Sequence, residues 1–254
     1  MHHTHDNNQI DRHLRGQPSV LARLRDLLSP GYCPDFPETL RLAERQAEAF
    51  LRLTGLADSD RPVPARLITG LPRIKVVCEP IAESGMSQYV GGTWLIVLNS
   101  RDHRLRQRFT LAHEFKHVLD HHDAKVLYTG RHWLPDDERA AEAVRQRERA
   151  ADHFAGCLLM PDRQVTRLWT DGLHSPDALA DHFDVSTAAM RVRLEQLGLA
   201  RPSWMCTRGL PNLDKQTLNL ATRQTVAKIQ ALGLRDPRWA ARLYSDPTLA
   251  GRPT

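Results

Sequence analysis

A chain of 254 residues, 41% of them apolar, is long enough for one sizeable domain or for a catalytic domain with a smaller appendage. It contains no continuous apolar run of membrane-spanning length, which argues against a membrane protein. The net charge of +5 is uneven: residues 200–254 hold nine Lys/Arg against three Asp/Glu, and the rest is near neutral. Charges scattered in this way read as a solvated surface before they read as a nucleic-acid or acidic-partner interface.

The first residues, Met1 to Asn8, lack the apolar stretch of a secretory signal, and His2, His3 and His5 read as a solvated leader, not a metal site. Cys33, Cys78, Cys157 and Cys206 form no C-x-x-C pair, which fits a reducing, cytoplasmic setting better than a disulfide framework. A short helical pattern runs from Val20 to Leu28, and Pro30, Pro34 and Pro37 then break the chain. From Glu38 to Thr54 the residues Leu42, Ala43, Ala47, Phe50, Leu51 and Leu53 recur at helical spacing, with Gly55 as a stop. Three strands are expected next, at Ile74–Cys78, Gln88–Gly91 and Trp94–Leu98, forming a small antiparallel sheet. Asn99–Asp102 is turn chemistry, after which the period becomes helical from Leu105 to Asp120. Beyond an irregular stretch, Asp136 serves as N-cap of a helix through Glu148 to Leu159, ended by Met160-Pro161.

The segment His113-Glu-Phe-Lys-His117 is an H-E-x-x-H. Positions i and i+4 of a helix share a face, so both imidazoles can reach one metal ion, and Glu114 lies about 100° round the helix. It is there within reach of a water beside the metal, as a general base. Chance alone gives this motif in roughly one sequence of such composition in forty, so context matters. A catalytic zinc needs three protein ligands and one open position. Glu148-Arg-Ala-Ala-Asp152 puts two carboxylates on one face of the next helix: Glu148 as the third ligand, and Asp152 as acceptor for the free ring N–H of a ligating histidine. Ala151 and Ala155 would allow close approach of the two helices, whereas Arg145, Arg147 and Arg149 favour a plain solvated face.

Together, Arg108 to His117 and Glu148 to Pro161 resemble the two signature blocks of the ImmA/IrrE metallo-endopeptidases, and the likeness extends over roughly residues 38–200. The resemblance implies Zn2+ as cofactor, His113, His117 and Glu148 as its ligands, and Glu114 as the catalytic glutamate. It also implies an intracellular protease whose substrate is a helix-turn-helix repressor of stress or mobile-element genes. Two departures stand out: Lys116 replaces the usual Gly, and Asp152 replaces the usual Asn. The first would alter packing or substrate approach, and the second keeps acceptor capacity.

Farther on, Ser175-Pro176 and Ser186 cap two short helices with a tight turn between them, a helix-turn-helix-like pattern. Thr187, Arg191 and Arg193 offer a DNA reader little beyond backbone contacts. His121 and His122 follow the motif helix as C-terminal caps, and Tyr128, Arg131 and His132 are candidates for steadying an oxyanion. Cys157 reads as a small core residue, and Trp204 and Trp239 as packing residues of the tail.

These readings combine into an α+β protein with a thermolysin-like, gluzincin-type H-E-x-x-H plus Glu site. The expected organisation is an N-terminal extension (1–37), a zinc metallopeptidase domain (38–165), a helix-turn-helix-like subdomain (166–200) and a basic helical tail (201–254). A protein substrate would add as a strand to an edge of the sheet. The alternative is a non-proteolytic DNA- or protein-binding regulator built on the same fold, and a structural metal is a third reading.

Overall fold

In the computed structural model, residues 19–59, 61–128 and 135–200 are described. The chain divides into two compact units, Met1–Leu197 and Gly198–Thr254, and the account below concerns the first. The expected roles of His2, His3, His5, Arg131, His132, Trp204, Trp239 and the basic tail fall outside the described residues. Among the described residues, no helix is long and apolar enough to cross a membrane.

Helix α1 (Val20–Arg25) starts at Ser19, whose hydroxyl accepts from the Ala22 amide. Helix α2 (Phe36–Leu53) opens with a reciprocal capping box: Asp35 accepts from the Glu38 amide and Glu38 accepts from the Asp35 amide. Its apolar face buries Leu42, Ala43, Ala47, Phe50 and Leu51, and Gly55 at φ +73° lets the chain leave the helix. A single turn, α3 (Arg66–Thr69), leads into the sheet.

The sheet comprises β1 (Ile74–Glu79), β2 (Gly85–Val90) and β3 (Thr93–Asn99), in the order β1-β3-β2. It is mixed, which corrects the antiparallel expectation. Strand β2 pairs antiparallel with β3 through Gly91-Gly92, both at positive φ as a tight hairpin requires. Strand β3 then inserts between its predecessors and runs parallel to β1, Ile74 opposite Trp94 and Glu79 opposite Asn99. Asn99 secures this crossing: its side-chain amide donates to the Ile81 carbonyl at 2.9 Å, and its backbone amide to Ser84 at 2.9 Å. Its Oδ1 also accepts from the Arg101 amide, the expected turn.

Helix α4 (Arg104–Asp120) follows β3, and the short α5 (Ala124–Leu127) follows α4. Helix α6 (Asp136–Leu159) places Asp136, Asp137 and Glu138 in its first turn, with Pro135 at the cap position where Asp136 was expected. Helices α2 and α4 both pack on α6, and their shared core is a run of aromatic rings, Phe50 to Phe115 at 5.3 Å and Phe115 to Phe154 at 6.0 Å. Ala151 and Ala155 are fully buried in α6, so the neighbouring helices come close there. Helices α7 (Asp162–Thr170), α8 (Pro176–Phe183) and α9 (Thr187–Gln196) complete the unit. Ser175 and Ser186 cap α8 and α9 as their positions suggested.

Candidate metal centre

The exposed start of α4 is capped by His103, and its second half is buried from Thr110 to Asp120 except at His113. One turn of helix therefore sets His113 and His117 side by side, and their Nε2 atoms lie 3.0 Å apart. From α6, Glu148 reaches both rings: Oε2 is 3.3 Å from His113 Nε2 and Oε1 is 3.4 Å from His117 Nε2. Two bonds of about 2.0–2.1 Å meeting at a tetrahedral angle separate their ligand atoms by about 3.3 Å. The triangle of Nε2, Nε2 and carboxylate thus has the size of a zinc ligand set, and the donor types suit that ion.

Asp152, one turn beyond Glu148, accepts from His113 Nδ1 at 2.9 Å. In the neutral ring that bond fixes the proton on Nδ1 and would leave the Nε2 lone pair for a metal ion. Burial works against the His113 imidazolium, but Asp152 and Glu148 outweigh it and hold the ring's pKa up to about 10. Burial likewise opposes ionisation of Glu148, yet hydrogen bonds from His113 and His117 hold it well below the ordinary carboxylate range. His117 is treated differently: Arg147 Nε donates to its Nδ1 at 3.1 Å. A ring that ligates through Nε2 carries its proton on Nδ1, so a metal ion here requires Arg147 to release this contact.

Glu114 is buried, and its carboxylate lies within 4.8 Å of the ligand nitrogens of both histidines. Glu148 is half exposed and closer to them. Gly85, at the start of edge strand β2, lies close against Thr110 and Glu114 of α4. A Cβ there would lie 2.4 Å from Thr110 Cγ2, 3.2 Å from the Val97 carbonyl and 3.3 Å from Glu114 Cγ. Only glycine lets β2 approach α4 this closely. Sequence reasoning passed over Gly85, although a glycine inside a strand is a signal of close approach. Arg106 adds to the contact, donating to Ser84 Oγ at 2.6 Å.

Lys116, the unusual residue of the motif, points away from the triangle and is fully buried against α2. Its ammonium donates to Gln46 at 2.7 Å and to Asp120 at 2.6 Å, and Tyr128 donates to the other oxygen of Asp120. Burial lowers the Lys116 pKa, and Asp120 opposes that shift. The Lys116 substitution therefore changes packing, and the Tyr128 hydroxyl is engaged in the same network. The C-terminal carbonyls of α4 are capped from a distance. Arg25 of α1 donates to Leu119 and Val118 at 3.0 and 2.7 Å, whereas His121 stacks edge-on against Trp94.

Residues 73–195 match the model of the Peptidase_M78 family, described as the IrrE N-terminal-like domain. This segment is similar to an IrrE N-terminal-like domain. The IrrE-like domain has a metallopeptidase-type fold, and the match includes α4 and the α6 residues Glu148 and Asp152. A Mycobacterium tuberculosis transcriptional regulator of known structure is similar at 20% identity and a TM-score of 0.49, over 76% of this chain and 55% of that one. The chain thus spans about half the length of that regulator. No curated protein matches the chain significantly.

Proposed function

We propose that the chain is a zinc-dependent endopeptidase in which His113, His117 and Glu148 hold Zn2+ and Glu114 is the general base. The observation that carries this reading is the triangle of two Nε2 atoms and one carboxylate, with edges of 3.0, 3.3 and 3.4 Å. When bound, Zn2+ supplies Lewis acidity, acidifying water and polarising a carbonyl oxygen. Glu114, buried beside the rings, takes the proton of the attacking water and delivers it to the departing amine. Asp152 orients His113 through its Nδ1 proton. Among the described residues edge strand β2 pairs on one side only, which leaves the other for an extended peptide, and its first residue, Gly85, lies beside the base. By its resemblance to the ImmA/IrrE enzymes, the substrate is a small helix-turn-helix repressor in the cytoplasm.

The test uses the purified full chain, Zn2+ and a helix-turn-helix repressor encoded beside it. Glu114→Gln should retain metal and lose cleavage by at least about a hundredfold, the usual share of a general base. Cleavage by Glu114→Gln at the rate of the unmodified protein would remove Glu114 from its role. Failure of the unmodified protein to cut, with metal bound, would favour the non-proteolytic regulator.

A further inference from the structure

On the opposite flank of α6 lies a second convergence of donor groups. His153 directly follows Asp152 but turns towards α2, where its Nε2 lies 2.8 Å from Glu44 Oε1. Cys157, one helical turn later, directs its Sγ at the same nitrogen from 3.7 Å. All three donor atoms fall within 4.8 Å of one another. The i, i+4 pair on one helix and a carboxylate from its neighbour reproduce the layout of the first site with a sulfur in place of one nitrogen. Glu44 lies outside the segment matched by the family model.

We propose that Glu44, His153 and Cys157 form a second cation site that takes a thiophilic divalent ion such as Zn2+. Tetrahedral zinc with bonds of about 2.0 Å to nitrogen or oxygen and 2.3 Å to sulfur separates N from O by about 3.3 Å and N from S by about 3.5 Å. The N–S spacing is already close to this, and the Glu44 carboxylate, with its side chain 46% exposed, has room to move outwards by the difference. Exposure at Glu44 also gives the ion an entry path, while Cys157 and most of His153 are shielded. A thiolate and a carboxylate neutralise a divalent cation, so a partly buried site of this composition carries no net charge. The bound ion would staple α2 to α6, the helix that presents Glu148.

Cobalt(II) is the probe, because a thiolate ligand produces a near-ultraviolet charge-transfer band that a site of histidines and a carboxylate lacks. Metal-free His117→Ala protein, with the first site disabled, should still develop this band and saturate it with one equivalent of Co2+. Cys157→Ser should abolish it, and Glu44→Gln and His153→Ala should each weaken Co2+ binding by about tenfold or more. A band that survives Cys157→Ser would assign the thiolate to another cysteine and overturn the site. So would the absence of any band, or unchanged affinity in Glu44→Gln, a variant at a half-exposed side chain that leaves the core intact. None of these readouts depends on peptide cleavage, so the site stands or falls apart from the proposed protease function.

Discussion

Glu114 and Glu148 are both carboxylates beside the same two imidazoles, and their surroundings separate their roles. Glu148 projects from α6 with half its side chain in solvent and meets both rings at ligand distance, whereas Glu114 is enclosed under β2. His153 shows how such local fields act on the fold itself. Burial pushes its imidazolium down, but Cys157 and Glu44 more than offset this and raise the pKa from 6.5 to about 9. A raised folded-state pKa contributes stability that is present in full below the unfolded value and is lost as the pH climbs through the folded value. In chelator, the thermal midpoint of the protein should therefore lose this contribution between about pH 6.5 and about pH 9. Glu44→Gln should flatten that part of the profile, and identical slopes by differential scanning fluorimetry would refute the assignment.

At the scale of elements, the junction of α2, α4 and α5 is held by a buried charge. Lys116 is fully enclosed, its ammonium donates to Asp120 and Gln46, and Tyr128 donates to the other oxygen of Asp120. Removing one partner of a buried pair leaves the other charge uncompensated, at a cost of about 3–5 kcal/mol, while replacing both partners by apolar groups of similar size costs far less. Asp120→Ala and Lys116→Met should therefore each lower the denaturation midpoint more than the double substitution of Lys116→Met with Asp120→Leu does. A double variant as unstable in urea titrations as the sum of the single ones would show that the two charges do not compensate each other. The α4 C-terminus illustrates the same logic without burial of a pair: its last carbonyls meet the guanidinium of Arg25, ninety-odd residues earlier in the chain.

Across the whole first unit, the α8–α9 pair is fastened to the body. Asp184, in the left-handed turn between these helices, receives a bidentate contact from Arg104 of α4 at 2.6 and 2.5 Å. Arg193 of α9 donates to the Met160 carbonyl at the end of α6, and Met190 and Leu194 are fully buried. These contacts commit much of α9 to packing, with Arg191 exposed. Any duplex affinity of the full chain should accordingly be independent of sequence, weaken with salt, and survive Arg191→Ala. Titration of two unrelated duplexes across a salt series checks this, and a sequence-selective loss in Arg191→Ala would restore the DNA-reading alternative.

The longer helices, the Ser175 and Ser186 caps and the placing of His113 with His117 and of Glu148 with Asp152 on single faces were legible in the chain, because each depends on residues within one or two turns. By contrast, the cap expected at Asp136 is Pro135, and helices α3, α5 and α7 had no expectation. The α+β class and the first and third strands followed from the same local periodicity, whereas the second strand, expected at Gln88–Gly91, spans Gly85–Val90. Tertiary structure decided the rest. Strand order depends on where β3 inserts, which no strand records in its own pattern, and so the sheet is mixed. The burial of Lys116, the Arg25 cap, the Gly85 contact with Glu114 and the meeting of Glu44 with His153 all join residues distant in sequence. Their physical basis is packing among separate elements, and it exists only once α2, α4, α6 and the sheet have closed on one core.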